Sequence, residues 1–381
     1  MKKASILLMG ITMLAVSGCG NTANVSNADM EEATVKVENV VVHTTVRTTG
    51  QYPETLEVTC ENDINEELSS EDFHMTGEAS IWESDDKRSF EASFSDVKVD
   101  GNKIYLYPED FPEKFFYVDT FEVTCDKNDT FKITEQDVTE VITPVADDFE
   151  YIEATGGGKL NYHLFTPEDT ENKPVVVVFH GYGDTSNLLT YRTAVEWAEP
   201  ENQEKRPCYV IAPVIDDMNY YSPKSRSEIL DEVKALLDGM IAEGKVDSSR
   251  IYVMGNSFGG MSTIEFCEKY PYFVAGALAL CPAVNYSNTA KQNLENMKDV
   301  PIWIAQAEND NTIPVSEGQF VYDRLQMCDP KDVRIKIYTD EEMNAAGADA
   351  APDSTYSYHH VEIAVMEDDT YMEWLFEQSL E

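Results

Sequence analysis

The stretch Gly255-Asn256-Ser257-Phe258-Gly259, with a further glycine at 260, constrains this chain more than any other part of it. Ahead of it runs Arg250-Ile251-Tyr252-Val253-Met254, short, apolar and β-branched, and behind it Met261 to Tyr270 is patterned as a helix. A strand that turns sharply into a helix around one serine forces that serine into a cramped backbone conformation. Glycines two residues to either side leave room for the strand and helix to pass close to each other. Ser257 is therefore read as a nucleophile held on a strand–helix turn.

The surrounding chain alternates strands and helices from about residue 149 to 381. Val175 to Phe179 and Cys208 to Ala212 are continuous apolar strands, and further strands are expected at 251–254, 275–280, 302–305 and 333–338. Between them, Ser227 to Ile241 is a helix with Ile229, Leu230, Val233, Leu236, Leu237 and Met240 on one stripe, followed by helices at 315–327 and near 369–378. Fully apolar strands alternating with helices indicate an α/β fold, a mostly parallel sheet covered on both faces. Ligands in such sheets sit at the carboxyl ends of the strands, where Ser257 lies.

A serine hydroxyl becomes nucleophilic when an imidazole takes its proton and a carboxylate orients that imidazole. Asp310 leaves a late strand, Pro301-Ile-Trp-Ile-Ala, four residues before Pro314, and is the candidate acid; Glu308 is nearer but lies within the strand's exit. The developing oxyanion needs two backbone N–H donors. One is expected from Phe258, and the other from Tyr182 in the loop His180-Gly181-Tyr182-Gly183-Asp184. His180 is then a loop organiser. This chemistry requires no metal and no organic cofactor.

The remainder of the chain reads differently. Residues 34–148 carry short alternating runs broken by turn residues, such as Ser89-Phe-Glu-Ala-Ser-Phe and Lys103-Ile-Tyr-Leu-Tyr. They indicate an antiparallel β-sandwich, immunoglobulin-like in size, with a boundary near Thr143 to Asp148. Its chemistry is thin, and a spacer or docking role is expected. Lys2 and Lys3, an apolar run from Ile6 to Val16 and Val16-Ser17-Gly18-Cys19 have the organisation of a signal segment. Residues 1–18 resemble a bacterial lipoprotein signal peptide, which implies lipidation at Cys19, a tether over 19–33 and a lipid-anchored protein at the cell membrane, facing outside the cytoplasm.

With 71 acidic against 28 basic residues, the net charge of −43 disfavours nucleic acid and anionic lipid as partners. The cysteines at 60, 125, 208, 267, 281 and 328 show no C-x-x-C spacing, which argues against zinc. Cys60 and Cys125 end two near-repeats, Leu56-Glu-Val-Thr-Cys60 and Phe121-Glu-Val-Thr-Cys125, and a bridge between them is left open.

Four stretches carry a family resemblance. They are Val177-Val-Phe-His-Gly-Tyr-Gly183, Val246-Asp-Ser-Ser-Arg-Ile-Tyr-Val-Met-Gly-Asn-Ser-Phe-Gly-Gly260, Asp310-Asn-Thr-Ile-Pro314 and Tyr371-Met-Glu-Trp-Leu-Phe-Glu-Gln378. Through them residues 160–378 resemble the α/β-hydrolase superfamily, in the group of feruloyl esterases, polyhydroxyalkanoate depolymerases and prolyl-oligopeptidase-like enzymes. The resemblance implies a Ser-Asp-His chain order, which leaves His359 and His360 as candidate bases after Ser257. The histidine's usual place shortly before the closing Trp-Leu-Phe helix favours His359, with His360 as the alternative. The implied activity is hydrolysis of carboxylic esters, among them acyl or feruloyl esters on bulky or polymeric substrates. A serine peptidase and a non-catalytic surface binding lipoprotein are the other readings. Only Ala283 to Asp299 separates two strands where relatives insert a lid, so an open site is expected. Thr339 to Tyr358 is long for its place, either a flap or a disordered insertion.

Overall fold

The computed structural model describes residues 35–47, 50–81, 87–109, 116–183, 188–348 and 358–381. The signal segment, Cys19 and the tether lie outside the described residues, as do Asp184 and residues 349–357. Among the described residues no helix is long and apolar enough to cross a membrane. The described residues divide into two compact units, one formed by those up to Thr45 with those of Tyr52–Thr143, the other by those of Val46–Gln51 with those of Pro144–Glu381.

The first unit is all β. Its strands are β1 (Val37–Arg47), β2 (Gly50–Cys60), β3 (Phe73–Ile81), β4 (Lys87–Asp100), β5 (Lys103–Glu109), β6 (Phe116–Cys125), β7 (Asn128–Thr134) and β8 (Val138–Ile142). They run in the order β7-β6-β3-β4-β5-β2-β1-β8. Strand β4 spans 14 residues and serves two neighbours. Met75 to Ser80 of β3 pair with Lys87 to Ala92, while β5 pairs with the stretch from Ser93 to Asp100. The register shift between Phe94 and Asp96 lets the strand change partners. Alternate residues from both halves then meet in one core: Leu56, Val58, Ile104 and Leu106 on one side, Phe73, Met75, Val123 and Ile133 on the other. One pairing departs from the antiparallel expectation, because β1 and β8 run parallel. Cys60 and Cys125 are both free thiols buried in this core.

The second unit is a mixed eight-stranded sheet. Its strands are β9 (Glu150–Ile152), β10 (Asn161–Phe165), β11 (Lys173–Phe179), β12 (Tyr209–Val214), β13 (Val246–Asn256), β14 (Gly276–Leu280), β15 (Ile302–Ala307) and β16 (Val333–Tyr338), in the order β16-β15-β14-β13-β11-β12-β10-β9. The six strands from β11 to β16 are parallel, and β10 and β9 add an antiparallel edge. The apolar runs are buried on both faces, with Val175, Val176 and Val177 fully buried on β11 and Ile251 through Met254 on β13. Helix Pro223–Ala242 presents Ile229, Leu230, Val233 and Leu237 to the core, as its stripe requires. The chain leaves β11 for β12 on one side and returns to β13 on the other, so the sheet's switch point falls between β11 and β13. Both the Tyr182 loop and Ser257 emerge there.

Two local expectations change. The helix after Ser257 begins at Phe258, not Met261, because the two glycines are helical and buried. The long stretch from Thr339 opens with a helix, Asp340–Ala345, whose start is fixed by reciprocal bonds between Thr339 and Glu342 and whose Met343 is buried.

Candidate active site

Ser257 stands between β13 and helix Phe258–Lys269 with φ 56° and ψ −116°, a conformation that an L-residue holds only when its surroundings impose it. Main-chain bonds impose it here. The Ser257 N–H donates to Leu280 O at 2.9 Å, and its carbonyl accepts from Met261 N and Ala283 N, each at 3.0 Å. The glycines allow the crossing. A Cβ at 255 would lie 2.5 Å from Phe179 O, one at 260 would lie 2.6 Å from Leu280 O, and one at 259 would overlap the Phe179 carbonyl.

Asp310 follows β15. Its Oδ1 accepts from Thr312 N at 2.8 Å and Ile313 N at 2.9 Å, and its Oδ2 accepts from Gln306 Nε2 at 3.2 Å. The same Oδ2 lies 2.9 Å from His359 Nδ1, and the aspartate side chain is fully buried. An aspartate ringed by donors is fixed in place and receives the imidazole N–H, leaving Nε2 of His359 as the nitrogen able to take a proton. Tyr358, at φ 58°, turns the chain immediately before this histidine. His360 points elsewhere: its Nδ1 lies 2.8 Å from Glu362 Oε1, within the turn that starts helix Val361–Met366. Of the two adjacent histidines, the structure brings His359 to Asp310. Glu308 does not enter this cluster; its N–H bonds Tyr338 O.

Phe258 is the first residue of its helix, where N–H groups lack an intrahelical acceptor. The Tyr182 ring lies 5.5 Å from the Phe258 ring, so the two expected oxyanion donors belong to neighbouring residues. His180 holds the Tyr182 loop. Its Nδ1 lies 2.6 Å from Gly181 O, and its Nε2 accepts from Ile215 N at 3.0 Å. The Tyr220 hydroxyl donates to His180 O at 2.6 Å. One ring nitrogen donating and the other accepting makes a neutral imidazole, and burial pushes His180 down to about 4.

Sequence reasoning missed several residues at the site. Gln306 is fully buried at the end of β15 and bridges Asp310 to Ile313 O, at 2.9 Å from the latter. Cys281 has φ 35° and places its Sγ 3.4 Å from His359 O. Sγ of Cys281, Asp310 and His359 form a group of metal-ligand type, their atoms within 4.8 Å of one another. Burial, then Asp310, pushes that thiol well above its ordinary value, and the Asp310 oxygens already hold four donors, so the group suits a packed support for the histidine. Arg226, on the buried stripe three and four residues before Ile229 and Leu230, pairs with both oxygens of Glu265, at 2.6 and 2.7 Å. It also donates to Tyr220 O, while Glu265 accepts from the Ser287 hydroxyl. A cation on an apolar stripe was the readable sign of this network.

Residues 161–347 match the family described as phospholipase/carboxylesterase. A segment of 135 residues is 30% identical to poly(3-hydroxyalkanoate) depolymerase C of Paucimonas lemoignei, covering 32% of this chain and 31% of that enzyme, so the match spans under a third of the relative's length. The fold is similar to the crystal structure of a thermostable esterase, with a TM-score of 0.69 and 23% identity over 90% of this chain and 100% of that one. With Ser257 on its glycine-flanked turn and the sheet order around it, the chain has the α/β-hydrolase fold, and these likenesses support a serine esterase.

Proposed function

We propose that the protein hydrolyses carboxylic esters through an acyl-enzyme formed on Ser257, with His359 as base and Asp310 orienting it. The observation that carries this reading is the buried 2.9 Å pair of Asp310 and His359 in the unit that holds Ser257 at φ 56°. In the first step Ser257 Oγ bonds to the ester carbonyl carbon as its proton passes to His359 Nε2. Negative charge on the carbonyl oxygen meets the N–H groups of Phe258 and Tyr182. The tetrahedral species collapses, the carbon–oxygen bond to the alcohol breaks, and the imidazolium returns the proton to the leaving oxygen. Water then repeats the sequence against the acyl-enzyme and frees the acid.

The lipobox-like segment ending at Cys19 supports a protein anchored by lipid to the membrane and facing outward, with the β unit, an immunoglobulin-like sandwich, as spacer or docking module. The depolymerase relative supports esters borne on a polymer as substrates. The test is hydrolysis of p-nitrophenyl butyrate and chromogenic peptides by the wild type and Ser257→Ala. The reading expects ester turnover in the wild type and a loss of roughly 10⁵-fold or more in the variant. Equal activity in both proteins would end it, and turnover of peptides alone would make the enzyme a peptidase.

A further inference from the structure

The short helix Asp217–Tyr221 holds the loop after β11 on either side of Tyr182. On one side the Tyr220 hydroxyl donates to His180 O at 2.6 Å, and on the other the Gly183 N–H donates to Asp217 Oδ1 at 3.2 Å. A third tie comes from Ile215, two residues before that helix, whose N–H donates to His180 Nε2. The path of the chain through Tyr182 is therefore fixed from this helix.

Tyr220 also packs on the helix that follows the nucleophile. It is fully buried, with its ring edge to face against His180 at 5.2 Å and against Phe258 at 5.7 Å. The carbonyl that it grips lies at the strand–helix crossing itself, because a Cβ on Gly259 would come within 2.7 Å of His180 O. One side chain thus touches both segments that carry the expected oxyanion donors, the turn into Phe258 and the loop through Tyr182. Two backbone N–H groups stabilise an oxyanion together only when both stand at hydrogen-bond distance from the same point. A displacement of about 1 Å can cost on the order of 10²-fold in rate, so whatever sets one segment against the other matters to catalysis.

Tyr220 is itself anchored from behind. Arg226 donates to Tyr220 O and pairs with both oxygens of Glu265, which belongs to the nucleophile's own helix. Backbone and ring are held by these contacts independently of the hydroxyl. The hydroxyl is then left with one task, the bond to the His180 carbonyl.

We infer that Tyr220 is a positioning residue for oxyanion stabilisation: its hydroxyl fixes the His180 carbonyl and so sets the Tyr182 N–H against the Phe258 N–H. The inference rests on the ester-hydrolase reading and adds to it a buried residue that acts on the reaction through another.

The experiment compares full-length Tyr220→Phe, which deletes the hydroxyl and keeps the ring, with Tyr209→Phe. Tyr209 is also buried and also donates to a main-chain carbonyl, Thr170 O at 2.8 Å, but at the start of β12 beside Val175. Steady-state hydrolysis of p-nitrophenyl butyrate gives kcat and KM. Two ketones report the oxyanion directly. Propyl trifluoromethyl ketone takes up Ser257: Oγ bonds to its carbonyl carbon, the proton passes to His359 Nε2 and the carbonyl π pair moves onto oxygen. Methyl propyl ketone stays trigonal.

In Tyr220→Phe, kcat should fall about tenfold with KM within about twofold. The trifluoromethyl ketone should bind more weakly by about the factor lost in kcat/KM, with methyl propyl ketone within about twofold. The acid limb of the pH–rate profile should keep its wild-type position, because the Asp310–His359 pair is untouched. Tyr209→Phe should leave kcat and both ketones within about twofold. Wild-type kcat and ketone binding in Tyr220→Phe overturns the role. An equal loss in Tyr209→Phe also overturns it, by tracing the effect to folding, as does a displaced acid limb, by tracing it to the histidine. Ester turnover that survives Ser257→Ala would instead overturn the underlying reading, so the two failures are distinct.

Discussion

Both units of this chain hold histidines against carboxylates, at nearly the same distance. In the β unit His43 lies 3.1 Å from Glu57 and His74 lies 3.0 Å from Asp126; in the α/β unit His359 lies 2.9 Å from Asp310 and His360 lies 2.8 Å from Glu362. Separation alone does not mark a working pair. The His74 pair is exposed, and the partly buried Glu57 divides itself between His43 and Lys103. His359 is buried, its aspartate is held by three further donors, and it belongs to the unit that carries the strained serine. His360 shares the burial, but its carboxylate comes from two residues along the same turn, so the pair secures a helix start. Under the proposed mechanism, what sets the relay apart from an ion pair is the origin of the carboxylate and what fixes it.

The largest effect that could break this contrast comes from removing each histidine in turn. His359→Ala should lower kcat by roughly 10⁵-fold or more, and Asp310→Asn by about 10⁴-fold, in steady-state ester assays. His43→Ala and His74→Ala should leave kcat within about twofold, and His360→Ala should act on thermal stability more than on rate. A large kcat loss in His360→Ala with a mild one in His359→Ala would reverse the assignment.

Next in size is the glycine crossing. Gly259→Ala forces a Cβ into the Phe179 carbonyl and should cost on the order of 3 kcal/mol or more, read from denaturant unfolding of the variant. Gly239, in helix Pro223–Ala242, has nothing within 4 Å of a Cβ, and Gly239→Ala should instead stabilise by about 0.5–1 kcal/mol.

Acidification sharpens the contrast between units. Burial holds His180 at about 4 in the folded chain, below the value near 6.5 of an exposed histidine. Between these values the unfolded chain binds a proton that the folded chain refuses. The stability from neutral His180 is thus fully present above about pH 6.5 and is lost as pH falls towards about 4. Unfolding free energy should drop by on the order of 2 kcal/mol from this group between pH 7 and 4.5. Neither described histidine of the β unit is buried as His180 is. Hydrogen exchange in the α/β unit across that pH range checks the drop.

The smallest effect concerns support for Asp310. Gln306→Leu removes a donor from its carboxylate and should lower kcat/KM about tenfold while leaving KM nearly unchanged. Equal rates would show that the main-chain donors suffice.

These expectations also show which parts of the site could be read from the chain. Ser257, Phe258 and the glycines announce themselves because a strand–turn–helix junction is local, and Asp310 stands at a strand exit before a proline. His359 and His360 are neighbours with identical side chains; only the turn at Tyr358 and the register of helix Val361–Met366 decide which ring meets Asp310. Gln306 and Cys281 sit in apolar runs and acquire meaning only when β14 and β15 lie side by side. Tyr220 and His180 are 40 residues apart and meet through a hydroxyl's bond to a main-chain carbonyl, which no periodicity reveals. In the β unit alternation indicated strands, yet the parallel β1–β8 pairing depends on long-range closure.

The main-chain bonds that pin Ser257 have a practical consequence for anyone wishing to retune this catalyst. Under the proposed mechanism the backbone that carries the nucleophile is held by peptide groups at Leu280, Met261 and Ala283. Side chains about it can therefore be exchanged as interchangeable tooling, with that backbone left in register.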